Sequence, residues 1–202
     1  MEKKARTRID LNEVLIRTVQ LLVRHQPQNL TYSKISRLIE VPRSTLYYYF
    51  GNKVTDMLEE AARFAMKRFV IFDKIDDYQS YKNWKDYQAS RLHLAMERVE
   101  LFPWSPRLYF RYRDDQGSLG EIVRKVEQDY LKKMRESWKH FHGSTGDYAI
   151  ENQKIVAAIK LGFLWGYAID FKGMDDKTKA DFDSKKLCNK LCTIIEQLLD
   201  TK

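Results

Sequence analysis

The sequence predicts an all-α protein, with an N-terminal three-helix module followed by a larger helical domain. Three observations predict this fold class. Long stretches repeat their apolar residues at the helical period, no Asn-Gly or Asp-Gly turn joins two alternating runs, and only 8 Gly and 4 Pro interrupt 202 residues. Hydrophobic residues make up 44% of the chain, which is enough to bury a core.

The elements follow in order from these signals. Asp10 can cap the first helix, which ends before Pro27, and Thr31 can cap a short second helix with Ile35, Leu38 and Ile39 facing inward. After a tight connection through Val41 a third short helix begins. Pro103 and Pro106 predict a loop with at most one short helix over 102–115. The predicted helices are about 10–26, 31–39, 43–50, 54–72, 84–100, 118–141, 147–171 and 181–199.

Charge is concentrated at the N-terminus. The net charge is +8, and residues 1–53 contribute +6 of it, with ten Lys/Arg against four Asp/Glu. A local positive field of this kind attracts a polyphosphate partner, although a basic surface can also serve solubility. Four basic residues precede the first helix, namely Lys3, Lys4, Arg6 and Arg8. They could form an arm that binds along or in the minor groove of DNA, or they could form a solvated tail.

Several classes of protein are excluded. No run of eighteen apolar residues exists, so neither a membrane span nor a membrane partner is expected, and an apolar leader is absent. Cys188 and Cys192 fit a reducing, cytoplasmic setting. Together with His140 and His142 they weakly suggest a metal site, but they also fit half-buried thiols, and we predict no metal. Without a phosphate loop or nucleophile motif, we expect neither a cofactor nor an enzyme.

Residues 31–53, TYSKISRLIEVPRSTLYYYFGNK, predict a helix-turn-helix because the turn is too short for the two helices to lie antiparallel. Leu46 and Phe50 should face inward. The other face of the second helix presents groups that can reach base edges or phosphates in a major groove. This outward set is Arg43, Ser44, Thr45, Tyr47 and Tyr48.

The run of three tyrosines cannot lie entirely in a core, because successive helical residues are about 100° apart. Tyr47 and Tyr48 should therefore be at least partly exposed. For Tyr49 two alternatives stay open, a buried ring with a solvated hydroxyl or an exposed phosphate ligand.

The same residues resemble the DNA-binding module of TetR-family regulators, over about residues 10–70. The resemblance is carried by the TLYYYF-x-x-K run of the third helix. Two departures stand out, Glu40 where the family has Gly and Pro42 where it has a Ser cap. A residue with a Cβ in the left-handed conformation costs about 1 kcal/mol, so either Glu40 accepts this strain or the turn is built differently. The matching residues are Thr31, Ile35, Val41, Thr45, Leu46, Tyr47, Tyr48, Phe50 and Lys53.

The resemblance implies double-stranded operator DNA as the partner and assigns roles by position. Base contacts are expected from Arg43, Ser44 and Thr45, with Tyr47 at a base edge or thymine methyl. Phosphate contacts are expected from Thr31, Tyr32, Tyr48, Tyr49 and Lys53. The implied organisation is an arm and helix-turn-helix domain over 1–53, a connecting helix over 54–72, and an effector-binding and dimerisation domain over 73–202.

For the larger domain the resemblance implies a homodimer made by the last two helices. Their apolar stripes fit this interface, although the stripes can also face only their own core. The predicted interface residues are Ile159, Gly162, Gly166, Leu187, Leu191, Ile194 and Leu198. The middle helices are rich in aromatic residues, which could line a cavity for a lipophilic or aromatic effector or fill a core. The predicted lining is Trp84, Trp104, Tyr109, Phe110, Trp138 and Phe163.

The sequence therefore predicts a ligand-responsive homodimeric transcription repressor. Two alternatives remain. One is a regulator of the same type without an effector, acting through protein partners. The other is a helical interaction protein whose basic N-terminus binds another acidic molecule.

Overall fold

The computed structural model describes residues 10–69, 78–143, 147–175, 177–178 and 182–200, and regular structure in these ranges is helical without strands. The predicted all-α fold class is confirmed. Short 3₁₀ turns lie at Pro27–Asn29 and Tyr78–Ser80. The helices are α1 (Leu11–Arg24), α2 (Tyr32–Ile39), α3 (Arg43–Phe50), α4 (Val54–Phe69), α5 (Trp84–Leu101), α6 (Trp104–Tyr112), α7 (Ser118–His142), α8 (Asp147–Gly173) and α9 (Ser184–Asp200).

The one short helix allowed between Phe102 and Asp115 is α6. Its two prolines do not break it, because Pro103 caps the helix and Pro106 lies in the first turn, where backbone N–H groups have no helical acceptor. The basic arm, residues 3–8, lies outside the described residues, as do residues 70–77, which follow α4.

The connection between α2 and α3 is a left-handed cap. Glu40 has φ 58° and ψ 37°, and its N–H bonds back to the Ser36 carbonyl. The Val41 N–H reaches the same carbonyl at 3.1 Å. The Ser36 hydroxyl in turn donates to the Val41 carbonyl at 2.6 Å. Glu40 thus takes the conformation that glycine usually supplies, and these bonds offset its backbone strain.

α1, α2, α3 and α4 pack into one core with the larger domain. In the N-terminal module this core holds fully buried Leu22, Ile35, Leu46 and Met57. One correction concerns Leu38, predicted to face inward, which is 45% exposed. The core continues without interruption into α5, α6, α7, α8 and α9. A second, smaller cluster surrounds Trp84, Met134, Trp138, Val156 and Ile195.

α6 is bonded directly to the end of α1. The Arg111 guanidinium donates to the carbonyls of Val23 at 2.9 Å and His25 at 3.2 Å. These are groups of the last turn of a helix, which cannot find partners within the helix itself. The larger domain therefore caps a helix of the N-terminal module.

No helix in the described part of the chain has the length and apolar character that a membrane crossing requires.

Candidate nucleic-acid interface and interior cavity

α3 presents its tyrosines to solvent. Leu46 is fully buried and holds the helix to its domain, whereas Tyr47 is 42% exposed, Tyr48 is 82% exposed and Tyr49 is 43% exposed. The expected exposure of Tyr47 and Tyr48 is confirmed, and Tyr49 takes the exposed alternative. Tyr48 and Tyr49 touch edge to face, with ring centroids 5.1 Å apart. The helix thus carries a ridge of phenol groups on its outer face.

The start of α3 carries the polar groups of the same surface. Arg43 and Ser44 are exposed and Thr45 is half-buried. The Arg43 guanidinium donates to the Ser33 hydroxyl at 3.0 Å, so α2 orients this side chain before any ligand arrives. An oriented guanidinium loses less entropy when it pairs bidentately with guanine.

Thr31 directly precedes α2, Lys53 follows α3, and both are exposed. The Thr31 hydroxyl accepts the N–H of Lys34 at 3.2 Å and caps α2. Lys53 directly precedes α4, so its ammonium and the helix dipole would act on the same anion.

Tyr32 requires a correction. The sequence suggested a phosphate ligand, but the side chain is only 5% exposed. Its hydroxyl lies 3.0 Å from the carbonyl of Gly51 and 3.0 Å from that of Lys53. Burial raises the pKa of this phenol. Tyr32 therefore supports the α3–α4 connection from beneath, and its hydroxyl is engaged there. The tyrosine and its acceptors are 19 to 21 residues apart, so no local signal reveals the contact.

The aromatic residues predicted to line an effector cavity do not lie together. Trp84 and Trp138 meet edge to face at 5.2 Å in the smaller core cluster. Trp104 lies beside α1, where Arg24 stands 5.2 Å from its ring. Phe163 stacks against Tyr167 at 6.3 Å. These four are core or boundary residues, the second of the two alternatives that the sequence left open.

Tyr109 and Phe110 line an open surface groove of about 600 Å³ between α6, α7 and α8. The Tyr109 hydroxyl donates to the Glu127 carboxylate at 2.8 Å. Phe110 contacts Trp165 with ring centroids 5.5 Å apart, and both rings are about two-fifths exposed.

A second cavity, partly open to solvent, has a lining that was not predicted. It measures about 40 Å³ and lies between α4, α5, α7 and α8. The Lys160 ammonium, 5% exposed, donates to the Gln88 side-chain carbonyl at 2.6 Å within it. A signal was available in the sequence, since Lys160 stands four residues from both Val156 and Leu164 on the buried face of α8. The remaining lining is Phe69, Tyr87, Arg91, Ala95, Tyr130, Lys133, Met134, Ser137, Leu161 and Leu164.

The predicted dimer residues lie largely on open faces of α8 and α9. Ile194 is 51% exposed and Leu198 is 57% exposed. Leu187, Leu191 and Ile159 are half-buried. A Cβ built on Gly162 or Gly166 meets no atom within 4 Å, so this side of α8 is open. Three further apolar residues outside the predicted interface set are exposed on α8, namely Ile155, Trp165 and Ile169.

Among the described residues no group of three or more His, Cys, Asp or Glu could hold a metal ion. His142 stacks on Trp138 with centroids 4.0 Å apart, and the Cys188 thiol lies 3.2 Å from the Met96 sulfur.

Comparison with known proteins adds the fold relationship. No family model matches the chain, and no curated protein matches its sequence. Solved structures do match. The fatty acid degradation regulator FadR of Bacillus halodurans has a TM-score of 0.68 at 15% identity, with 96% of this chain and 100% of that chain covered. FadR of Bacillus subtilis, in complex with stearoyl-CoA, has a TM-score of 0.66 at 13% identity, with 92% and 97% covered.

A third structure is a protein of Shewanella sp. PV-4 assigned to the TetR family of transcription regulators. It has a TM-score of 0.61 at 18% identity, with 92% of this chain and 96% of that chain covered. All three alignments span both the helix-turn-helix and the larger domain. The chain therefore has the all-helical fold of TetR-type transcription regulators.

Proposed function

We propose that the chain is a sequence-specific DNA-binding transcription regulator, a homodimeric repressor that a small lipophilic molecule releases from its operator. The exposed outer face of α3 carries this proposal. Arg43, Ser44 and the three tyrosines stand clear of the domain on a short helix anchored by buried Leu46. A helix of this kind, with a basic surface around it, enters the major groove in helix-turn-helix proteins.

Phosphate contacts would position this helix. Exposed Thr31 lies at the start of α2, exposed Lys53 follows α3, and Tyr48 and Tyr49 extend from α3, so each of these elements would offer a hydroxyl or ammonium group to phosphate oxygens. Contacts to phosphate oxygens set register and orientation, whereas base edges supply sequence preference. Tyr32 would act indirectly, by holding the α3–α4 connection from which Lys53 projects.

A second copy of the chain would cover the open faces of α8 and α9. Exposed Ile194 and Leu198 on α9, with Ile155 and Trp165 on α8, leave apolar surface on two helices that contribute to the same core cluster. Two such helices from each protomer would form a four-helix interface across a two-fold axis. Because Gly162 and Gly166 have no side chains, a helix of the partner could approach α8 closely there. A two-fold dimer matches a near-palindromic operator.

The cavity that contains Lys160 would couple the ligand to DNA binding. Phe69, the last residue of α4, lines this cavity, and three residues separate the first residue of α4 from the end of α3. A ligand that displaced Phe69 would shift α4 and so change the distance between the two α3 helices of the dimer. A structure of the same fold, FadR of Bacillus subtilis, holds stearoyl-CoA, which supports a lipophilic ligand.

Selection from random duplex DNA with the full chain tests the DNA-binding proposal. We expect enrichment of a near-palindromic site whose half-sites lie about one helical turn, about 34–36 Å, or more apart. A pool that stays unenriched at low salt would contradict it. Adding stearoyl-CoA to the purified operator complex then tests release. A complex that persists would favour a regulator without this effector.

A further inference from the structure

The cavity contains a positively charged side chain that no described carboxylate neutralises. Lys160 lies on the buried face of α8, 5% exposed, and its ammonium donates to the neutral amide oxygen of Gln88. Gln88 is itself only 3% exposed. Within the described ranges no carboxylate lies within ion-pair distance of Lys160. Buried ammonium groups in proteins are ordinarily paired with an anion, because desolvation penalises an isolated charge.

The groups that face Lys160 from other helices do not supply that anion. Arg91 projects from α5 into the same cavity, and Tyr130 and Lys133 project from α7. Cys188 and Cys192 act on it from α9, and burial raises the pKa of both thiols, so they remain neutral at pH 7. None of these groups therefore supplies Lys160 with a negative charge at pH 7.

Much of the remaining cavity lining is apolar. It includes Phe69, Leu161, Leu164 and the flexible side chain of Met134. The 40 Å³ centre has room for a carboxylate group. The wider space between the lining side chains, including the part open to solvent, is about 530 Å³. A cavity lined by both charged and apolar side chains favours a ligand that has a charged group and an apolar part.

We infer that this cavity binds the carboxylate of a lipophilic acid, with the Lys160 ammonium as its ion-pair partner and the apolar tail against Phe69. The inference rests on the proposed effector response and specifies its ligand. A carboxylate on Lys160 would neutralise the buried charge, and the tail on Phe69 would reach the helix that leads to α3. An acyl thioester carries no charge at its acyl end, so the ammonium would favour the free acid.

The lysine also makes the binding dependent on pH. Burial lowers the pKa of Lys160 to about 8, so the amine is largely protonated at pH 7 and neutral at pH 10. Octanoate stays ionised throughout this range. Its affinity should therefore fall by about tenfold per pH unit above pH 8.

Calorimetric titration of the full chain at pH 7 with octanoate and with 1-octanol tests the inference. We expect octanoate to bind at least about tenfold more tightly than the alcohol of equal length. Lys160→Met should abolish that preference and leave 1-octanol binding unchanged. Lys154→Met, which removes an exposed lysine from the same helix, should change neither affinity.

Equal affinities for acid and alcohol, or a preference that survives Lys160→Met, would overturn the inference. So would a preference lost in Lys154→Met, because the anion would then bind at the surface. If Lys160→Met fails to fold, the pH dependence of the unmodified chain decides, and an octanoate affinity that is flat from pH 7 to 10 refutes the site. Selection of an operator without ligand is unaffected by these outcomes, so the DNA-binding proposal stands or falls separately.

Discussion

The phenol hydroxyl of Tyr112, at the end of α6, donates a 2.9 Å hydrogen bond to the carbonyl of Leu22 in the last turn of α1. Both residues are buried, and burial raises the pKa of the phenol. The bond joins the larger domain to the helix on which the helix-turn-helix packs. Arg111 adds two further bonds to the same turn.

Tyr112→Phe tests this connection. The substitution leaves a buried carbonyl without its donor, so it should lower the free energy of unfolding by about 1–2 kcal/mol. Urea denaturation measures the change. Tyr48→Phe, at a residue 82% exposed, is the matched control and should stay within about 0.5 kcal/mol of the parent. Equal stabilities of parent and Tyr112→Phe would show that the bond is dispensable.

Glu40→Gly should stabilise the protein. Glu40 has φ 58°, a left-handed conformation that costs a residue with a Cβ about 1 kcal/mol and costs glycine little. We therefore expect the free energy of unfolding to rise by about 0.5–1 kcal/mol. Glu40→Ala removes the same carboxylate but keeps the Cβ, so it should give no such gain. If both variants gain equally, the charge and not the backbone is responsible.

The proposed DNA-binding surface divides into residues expected to contact bases and residues expected to contact phosphates, and the two groups should respond differently to substitution. Arg43→Ala should cost about 1–3 kcal/mol on the selected operator and relax its base preference. Lys53→Ala should weaken all duplexes alike and reduce the slope of log affinity against log salt by about one. Fluorescence anisotropy over a salt series measures both. If Arg43→Ala binds operator and scrambled DNA as the parent does, Arg43 reads no base.

Replacing Ile194 and Leu198 by Glu should produce a monomer. Both side chains are more than half exposed on α9, and two carboxylates there would have to be desolvated in the proposed interface. Sedimentation velocity measures the oligomeric state. Leu101→Glu changes an apolar residue 71% exposed on α5 and should leave the dimer intact. A double variant that still sediments as the parent does would place the interface elsewhere.

Lys160 should give the stability a characteristic pH dependence. Its pKa falls from 10.5 to about 8 on folding, so between pH 8 and 10.5 the unfolded chain holds a proton that the folded chain lacks. Stability from this group therefore rises with pH in that window, by at most about 1.4 kcal/mol per pH unit. Cys188 acts oppositely, because folding raises the pKa of its thiol to about 12.

The difference between parent and Lys160→Met reports the lysine together with its electrostatic interaction with the Cys188 and Cys192 thiols, because the other titratable groups are common to both proteins. Urea denaturation of each protein at pH 7, 8, 9 and 10 should show that the free energy of unfolding of the parent increases relative to that of the variant as pH rises. A difference that does not change with pH would mean that Lys160 titrates alike in the folded and unfolded chains.

Local pattern was sufficient for the helices and for the outer face of α3. Leu46 and Phe50 identify its packed side, and the 100° step then places Tyr47 and Tyr48 outward, as the structure shows. The strain at Glu40 was one of two options that the sequence defined. These features depend on residues within a few positions of one another.

Features that depend on distant contacts were not predictable. The acceptors of the Tyr32 hydroxyl lie in the α3–α4 connection. Gln88 and Lys160, which are hydrogen-bonded, lie 72 residues apart in sequence. The six aromatic residues chosen for an effector site are scattered, because ring size indicates burial but not a shared location. Helical period identified α8 and α9 as apolar on one side, but it could not say which apolar residues the rest of the chain covers.

The bonds from Arg111 and Tyr112 to the end of α1 also limit how the reading head can be exchanged. A chimera that joins residues 1–69 to the larger domain of another protein of this fold would lose the donors that satisfy the carbonyls of Leu22, Val23 and His25. The recipient domain must therefore provide an equivalent arginine and tyrosine in its own α6. Without them, the two parts of this chain can be transferred only together.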